Sequence, residues 1–171
     1  MLLAYLEPID LEWGDKPLTQ KALRIDDKKD GNPGIRRQLG LDSYNCCDYC
    51  YPYKNKICFI ECSDLGQQLK NLEEKWRDIS AECQKELKEK KINIKSLKKE
   101  IRDEIRLKLF SSLLILFRIP TQFKIKHSKI HDKIFELFLV IPIENDIRVL
   151  DYLETDLKCA LAPLILRFVK N

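Results

Sequence analysis

The chain has 171 residues, 34% of them charged and 44% hydrophobic, with 31 basic against 27 acidic side chains and a formal net charge of +4. That composition describes one globular domain with enough apolar material for a core. Glycine is scarce, only Gly14, Gly31, Gly34, Gly40 and Gly66, and neither a GxGxxG nor a GxxxxGK[ST] loop is present. A phosphate cradle made of backbone N–H groups is therefore excluded, and any phosphate chemistry falls to side chains or a metal ion.

The mild basic balance permits contact with nucleic acid without demanding it. No apolar run is long enough for a transmembrane helix, so no membrane partner is expected. The first residues, MLLAYLEPID, lack the basic and apolar regions of a signal peptide. Seven cysteines without an export signal read as reduced thiols in a cytoplasmic protein.

Residues 1–43 hold four of the five glycines and three of the seven prolines, and the run DDKKDGNPGIRR reads as an exposed loop within an irregular N-terminal arm. Residues 44–63, rich in aromatic and β-branched side chains around Lys54, Asn55 and Lys56, predict a β-hairpin. Asp64 can then cap a helix, with Gln67 as capping-box partner. Leu65, Leu69, Leu72, Trp76, Ile79 and Cys83 follow at helical steps, and Leu87 extends the stripe. Asn93 can cap a second helix that carries Leu97, Ile101, Ile105 and Leu109 and ends before Pro120, making 64–119 a helical hairpin.

Residues 123–126 alternate like a short strand. Residues 134–143 are nearly all apolar and predict a central strand buried on both faces. A last helical region begins at Asp146, places Ile147, Leu150, Leu153, Leu157 and Leu161 on one side, and is broken at Pro163. One α/β domain follows: a mixed central sheet with a β-hairpin, flanked by helices including a long helical hairpin, with a strand and C-terminal helices over 122–171.

The register of the hairpin carries the functional reading. A two-residue loop at Lys54 and Asn55 puts Asp48 opposite Glu61, on a face shared with Ile57 and Phe59. Paired carboxylates on an apolar surface repel unless one is protonated or a cation lies between them, and hard oxygen ligands suit Mg²⁺ or Mn²⁺. Asp48, the turn, the apolar strand ending Cys-Phe-Ile-Glu-Cys-Ser and the helix behind it resemble the core of the PD-(D/E)xK nuclease superfamily, over roughly residues 44–80.

The resemblance implies a restriction-endonuclease-like fold and cleavage of nucleic-acid phosphodiesters. It implies Asp48 and Glu61 as metal ligands, with the backbone carbonyl of Cys62 beside them. This chain departs from the motif where its lysine should be: that position is Ser63. A basic residue from elsewhere must replace it, with Lys70 on the first helix and Lys108 on the second as candidates, or the scaffold binds nucleic acid or a protein partner without cleaving.

Residues 85–108 carry ten basic against five acidic side chains, net +5. Lys95, Lys98, Lys99 and Arg102 are expected to track a phosphate backbone, with Arg36 and Arg37 adding contacts from the early loop. The same charge can serve as a solvated helix face. The stripe from Leu65 to Leu87 makes a protein partner or homodimer through the helical hairpin physically reasonable. Cys47, Cys50, Cys58 and Cys62 raise the alternative of a zinc-stapled binding module, but hairpin register places Cys46 and Cys50 on the carboxylate face and Cys47, Cys58 and Cys62 on the other. His127 and His131 read as surface histidines in a turn.

Overall fold

A computed structural model of the chain describes residues 2–11, 13, 18–27, 31, 33–89, 94–124, 130, 132–142, 154–155, 157–158 and 165–170. Six strands form one mixed sheet in sequential order. They are β1 (Leu6–Pro8), β2 (Lys21–Arg24), β3 (Tyr49–Tyr53), β4 (Lys56–Cys62), β5 (Ile134–Ile141) and β6 (Ile165–Lys170). β1 to β4 pair antiparallel in succession, and β5 and β6 run parallel to β4. Between them lie the short helix α1 (Ile35–Gln38) and the longer α2 (Leu65–Asp78), α3 (Ala81–Glu89) and α4 (Ile94–Phe123).

The hairpin forms in the expected register. Tyr49 pairs with Ile60, Cys50 with Phe59 and Tyr53 with Lys56, and Lys54 takes the positive φ of 51° that the tight turn requires. Period-two alternation then divides the β4 side chains between two cores. Ile57 and Phe59 face the helices, with Leu65, Leu69, Ile101, Ile105, Leu109, Leu137 and Leu139. Ile60 and Cys62 face the other way, under Ile9, Leu11 and Tyr49. Phe59, Leu109, Ile115, Leu137, Leu139 and Ile141 are wholly buried, each worth about 1.5–3 kcal/mol over an exposed position.

Several expectations fail for local reasons. The N-terminal arm is not irregular throughout: β1 and β2 extend the sheet on the β3 side, and Arg24, on its last strand residue, pairs with Glu7. The stripe from Leu65 to Leu87 is cut at Ile79, whose extended backbone ends α2, and α3 then buries no residue. The second helix does not stop before Pro120 but runs on to Phe123. Burial of Ile119 and the packing of Phe123 on the core hold that last turn despite the lost hydrogen bond. Phe123 is accordingly helical rather than the start of a strand, and residues 125–126 lie outside those described.

The chain does not end in helices: 165–170 form β6. Of the helical region expected after Asp146, 154–155 and 157–158 are described and helical, with Leu157 wholly buried, while Ile147, Leu150, Leu153 and Leu161 lie outside the described residues. No helix among the described residues is long and apolar enough to cross a membrane.

Candidate functional site

The site begins where β3 meets β2. Asp48 precedes β3, and its carbonyl accepts hydrogen bonds from the N–H groups of Ile25 at 2.8 Å and Asp26 at 3.3 Å. Its carboxylate turns toward β4, where Oδ2 accepts the Cys62 N–H at 2.7 Å. The Asp48 carboxylate is thereby fixed against the peptide joining Glu61 to Cys62. Glu61 lies on the Phe59 side of β4, toward the helices, and is 3% exposed.

Lys108 answers it. This residue of α4, 47 positions further along the chain, sets Nζ 2.6 Å from Glu61 Oε1 and 3.7 Å from Glu104 Oε1. The other oxygen, Glu61 Oε2, is buried with no hydrogen-bond partner among the described residues. Burial, then the negative charge of Asp48, push the Glu61 carboxyl up to about 8, against the pull of Lys108. Burial works against the Lys108 charge, but Glu61, Asp48 and Glu104 outweigh it and hold its ammonium above the usual lysine range. Ser112, one turn on, locks the α4 edge to the hairpin: its hydroxyl accepts the Cys47 N–H at 2.8 Å and donates to the Lys108 carbonyl at 2.7 Å.

A basic and acidic cluster borders this centre. Arg36 Nη2 lies 3.0 Å from Asp26 Oδ1 and 3.2 Å from Asp27 Oδ2, while Nη1 donates to the Tyr44 carbonyl. Gly34 makes this docking possible, because a Cβ there would run into the carbonyls of Ile25 and Asp26. Burial raises the Asp26 carboxyl despite its bond from Asp27 N–H and the charge of Arg36. For Asp27 the Gly34 N–H, Arg36 and Arg37 overcome burial and lower it. The Cys46 thiol sits in the field of Asp26, Arg36, Asp48 and Glu61, and burial first, then those acids, push it up; burial likewise raises Cys47 and, to about 12, Cys50. Such thiols are poor nucleophiles.

The structure thus brings together Asp48, Glu61 and Cys62, and sets Lys108 rather than Lys70 beside them; Lys70 stands exposed on α2. Ser63, in the motif's lysine position, is 8% exposed and accepts from Gln68 Nε2 at 3.0 Å. Arg36 borders the site through Asp26, and half-exposed Arg37 pairs with Asp27 and Asp42. Lys99 is exposed and Arg102 is bound to Asp103, both on α4. The side chains of Lys95 and Lys98 lie outside those described, as do His127 and His131.

Sequence reasoning missed Asp26 and Ser112, which contact the site from segments read as loop and helix, while Cys46 lies on the carboxylate side of the hairpin as expected. It also misplaced Cys47. That residue packs in the helix-side core with Cys46 and Cys50, while Ile60 and Cys62 share the opposite core. Strand alternation starts at Tyr49 and does not extend back to 47. The four cysteines of the zinc alternative accordingly do not converge, and among the described residues no group of three or more His, Cys, Asp or Glu side chains is placed to hold a metal ion. Comparison with protein-family models, curated proteins and solved structures finds no match to the chain.

Proposed function

We propose that the chain is a metal-dependent nuclease acting on nucleic-acid phosphodiesters. Asp48, Glu61 and the Cys62 carbonyl would hold Mg²⁺ or Mn²⁺, and Lys108 would serve in place of the motif lysine that Ser63 has displaced. The observation that carries this reading is the Lys108 ammonium 2.6 Å from Glu61, on the strand residue next to the peptide that fixes Asp48. The hairpin, the helix behind it and the parallel strand beside β4 support it.

The donor set fits a hard divalent cation. Its atoms are carboxylate and carbonyl oxygens, and Glu61 Oε2 is buried without a hydrogen-bond partner among the described residues. Two carboxylates make a sparse set, which suits Mg²⁺ because it retains much of its hydration. Such an ion would supply Lewis-acid neutralisation of phosphoryl charge. The chain's own groups do the rest. Lys108 brings a fixed positive charge to the carboxylate pair, where a reacting phosphate gains negative charge. Cys62 N–H holds the Asp48 carboxylate in place. Glu61, with its affinity for a proton raised, can keep or release one near neutral pH. The excess of positive charge over residues 85–108 would attract the backbone of the substrate.

The test is cleavage of DNA and RNA with Mn²⁺ by the unaltered chain and by Asp48→Ala, Glu61→Gln, Lys108→Met and Lys70→Met. The first three should lose about 10²–10³-fold, the scale on which a single electrostatic contributor acts, and Lys70→Met should match the parent. Absence of cleavage, or equal cleavage by all five proteins, would overturn the reading. Ser63 and the existing Glu61–Lys108 pair favour a second reading, a scaffold that binds nucleic acid without cutting it. Salt-sensitive binding with no Mn²⁺-dependent cleavage would identify that one.

A further inference from the structure

α4 is apolar on two sides. Ile105, Leu109, Ser112, Leu116 and Ile119 are buried on the side toward the core. At 3.6 residues per turn, the side opposite Ser112 carries Leu107, Phe110, Leu114 and Phe117. These four are 56%, 46%, 55% and 40% exposed. Together they make one strip of roughly 400 Å² of apolar surface, a size at which an exposed patch marks an interaction site. This is a different surface from the Leu65 to Leu87 stripe, which is cut at Ile79.

Spacing and charge both select a second copy of the same helix as the cover. Steps of three, four and three are those of a coiled-coil seam, the pattern by which one helix packs along another. The strip also matches itself. With two α4 helices antiparallel about a two-fold axis level with Ser112, Leu107 meets the partner's Phe117 and Phe110 meets the partner's Leu114. Every leucine then lies against a phenylalanine. Glu104 and Arg118 are exposed on one flank of the strip, eight residues before the axis and six after it. Each Arg118 therefore comes beside the partner's Glu104. On the other flank Arg106 comes over the ring of the partner's Phe117, a cation–π placement. Asp103, 3.0 Å from Arg102 and 3.9 Å from Arg106, offsets the positive charge of that flank. A parallel pair would instead set Glu104 against the partner's Glu104.

We propose that the chain forms a homodimer through this strip, two α4 helices packing antiparallel by Leu107, Phe110, Leu114 and Phe117. The two strips bring together roughly 800 Å² of apolar surface, before the charged flanks are counted, which is at the small end for a specific interface. The dimer accordingly associates in the micromolar range. The inference does not rest on the chain being a nuclease.

Sedimentation equilibrium of the full chain over about 1–200 µM tests it. The mass should rise from 20.2 kDa toward twice that value. Leu107→Lys and Leu114→Lys, each at a position more than half exposed, should keep the circular dichroism of the parent and weaken association at least about tenfold. Arg118→Glu sets a carboxylate against the partner's Glu104 at two places in the dimer and should weaken it about three- to tenfold. Adding Glu104→Arg should restore the loss, a rescue that only the antiparallel pairing gives. A chain that stays monomeric across the range, even one whose strip instead binds anionic vesicles or another protein, overturns the proposal. A dimer unmoved by both lysine substitutions overturns it too, as does one that Arg118→Glu leaves unchanged or that the double reversal fails to recover.

Discussion

Glu61 makes stability depend on pH in a direction that can be worked from its surroundings. Burial, then Asp48, lift its carboxyl to about 8 in the folded chain, against an ordinary 4.5 once unfolded. Between those values the folded state keeps a proton that the unfolded state has released, so stability is highest at the acid end of the window and falls as pH rises through it. The full slope for one proton is about 1.4 kcal/mol per pH unit, and it fades on approaching the folded value. From pH 6 to pH 8 the loss should therefore be about 2 kcal/mol. Glu61→Gln keeps the shape and an acceptor for Lys108 but has no proton to lose, and comparing the two proteins cancels every other group that titrates in this range. Urea unfolding followed by circular dichroism at pH 6, 7 and 8 reads the difference. The parent should lose about 2 kcal/mol more than Glu61→Gln across the series. Parallel curves would refute the reasoning and place Glu61 ionised throughout.

Four other substitutions test the frame around the site. Ser112→Ala removes the acceptor of the buried Cys47 N–H and should cost about 1–3 kcal/mol in thermal or urea unfolding. Gly34→Ala forces α1 off the end of β2, because the added Cβ meets two backbone carbonyls, and should cost about 1–3 kcal/mol, with Arg36 losing its hold on Asp26. Lys108→Met leaves buried Glu61 without its cation and should cost up to about 3–5 kcal/mol at alkaline pH, less where Glu61 can protonate. Lys70→Met, at an exposed position, should stay within about 0.5 kcal/mol of the parent.

How much of this was legible in the sequence depends on how far apart the partners lie. The hairpin was readable because a two-residue loop fixes register and alternation fixes faces, so Asp48 and Glu61 could be paired from 13 residues of spacing alone. The same rule misled at Cys47, just before the strand begins, where backbone direction is set by Ser112 and not by pleating. β1 and β2 are three and four residues long, too short to show a period, and owe their place in the sheet to pairing with β3. β6, Ile-Leu-Arg-Phe-Val-Lys, does carry strand-forming side chains, but the helical pattern read before Pro163 hid it.

The lysine is the instructive case. No local pattern ties Lys108 to Glu61, 47 residues apart, yet two local patterns taken together do. Ile101, Ile105, Leu109 and Ser112 recur at helical steps and form the stripe by which α4 packs on the sheet. Lys108 and Glu104 lie on the flank of that stripe, where a long side chain can run along the packed surface and keep its charged end at the border. Glu61 shares its sheet face with Ile57 and Phe59, the side chains this stripe covers. A buried carboxylate on a strand and a lysine on the edge of the helix packed over it will find each other, since leaving that carboxylate unpaired is the costlier arrangement. The cation that the strand lacks at Ser63 comes from the layer above, and the amphipathic edge of α4 is the sequence signal for it.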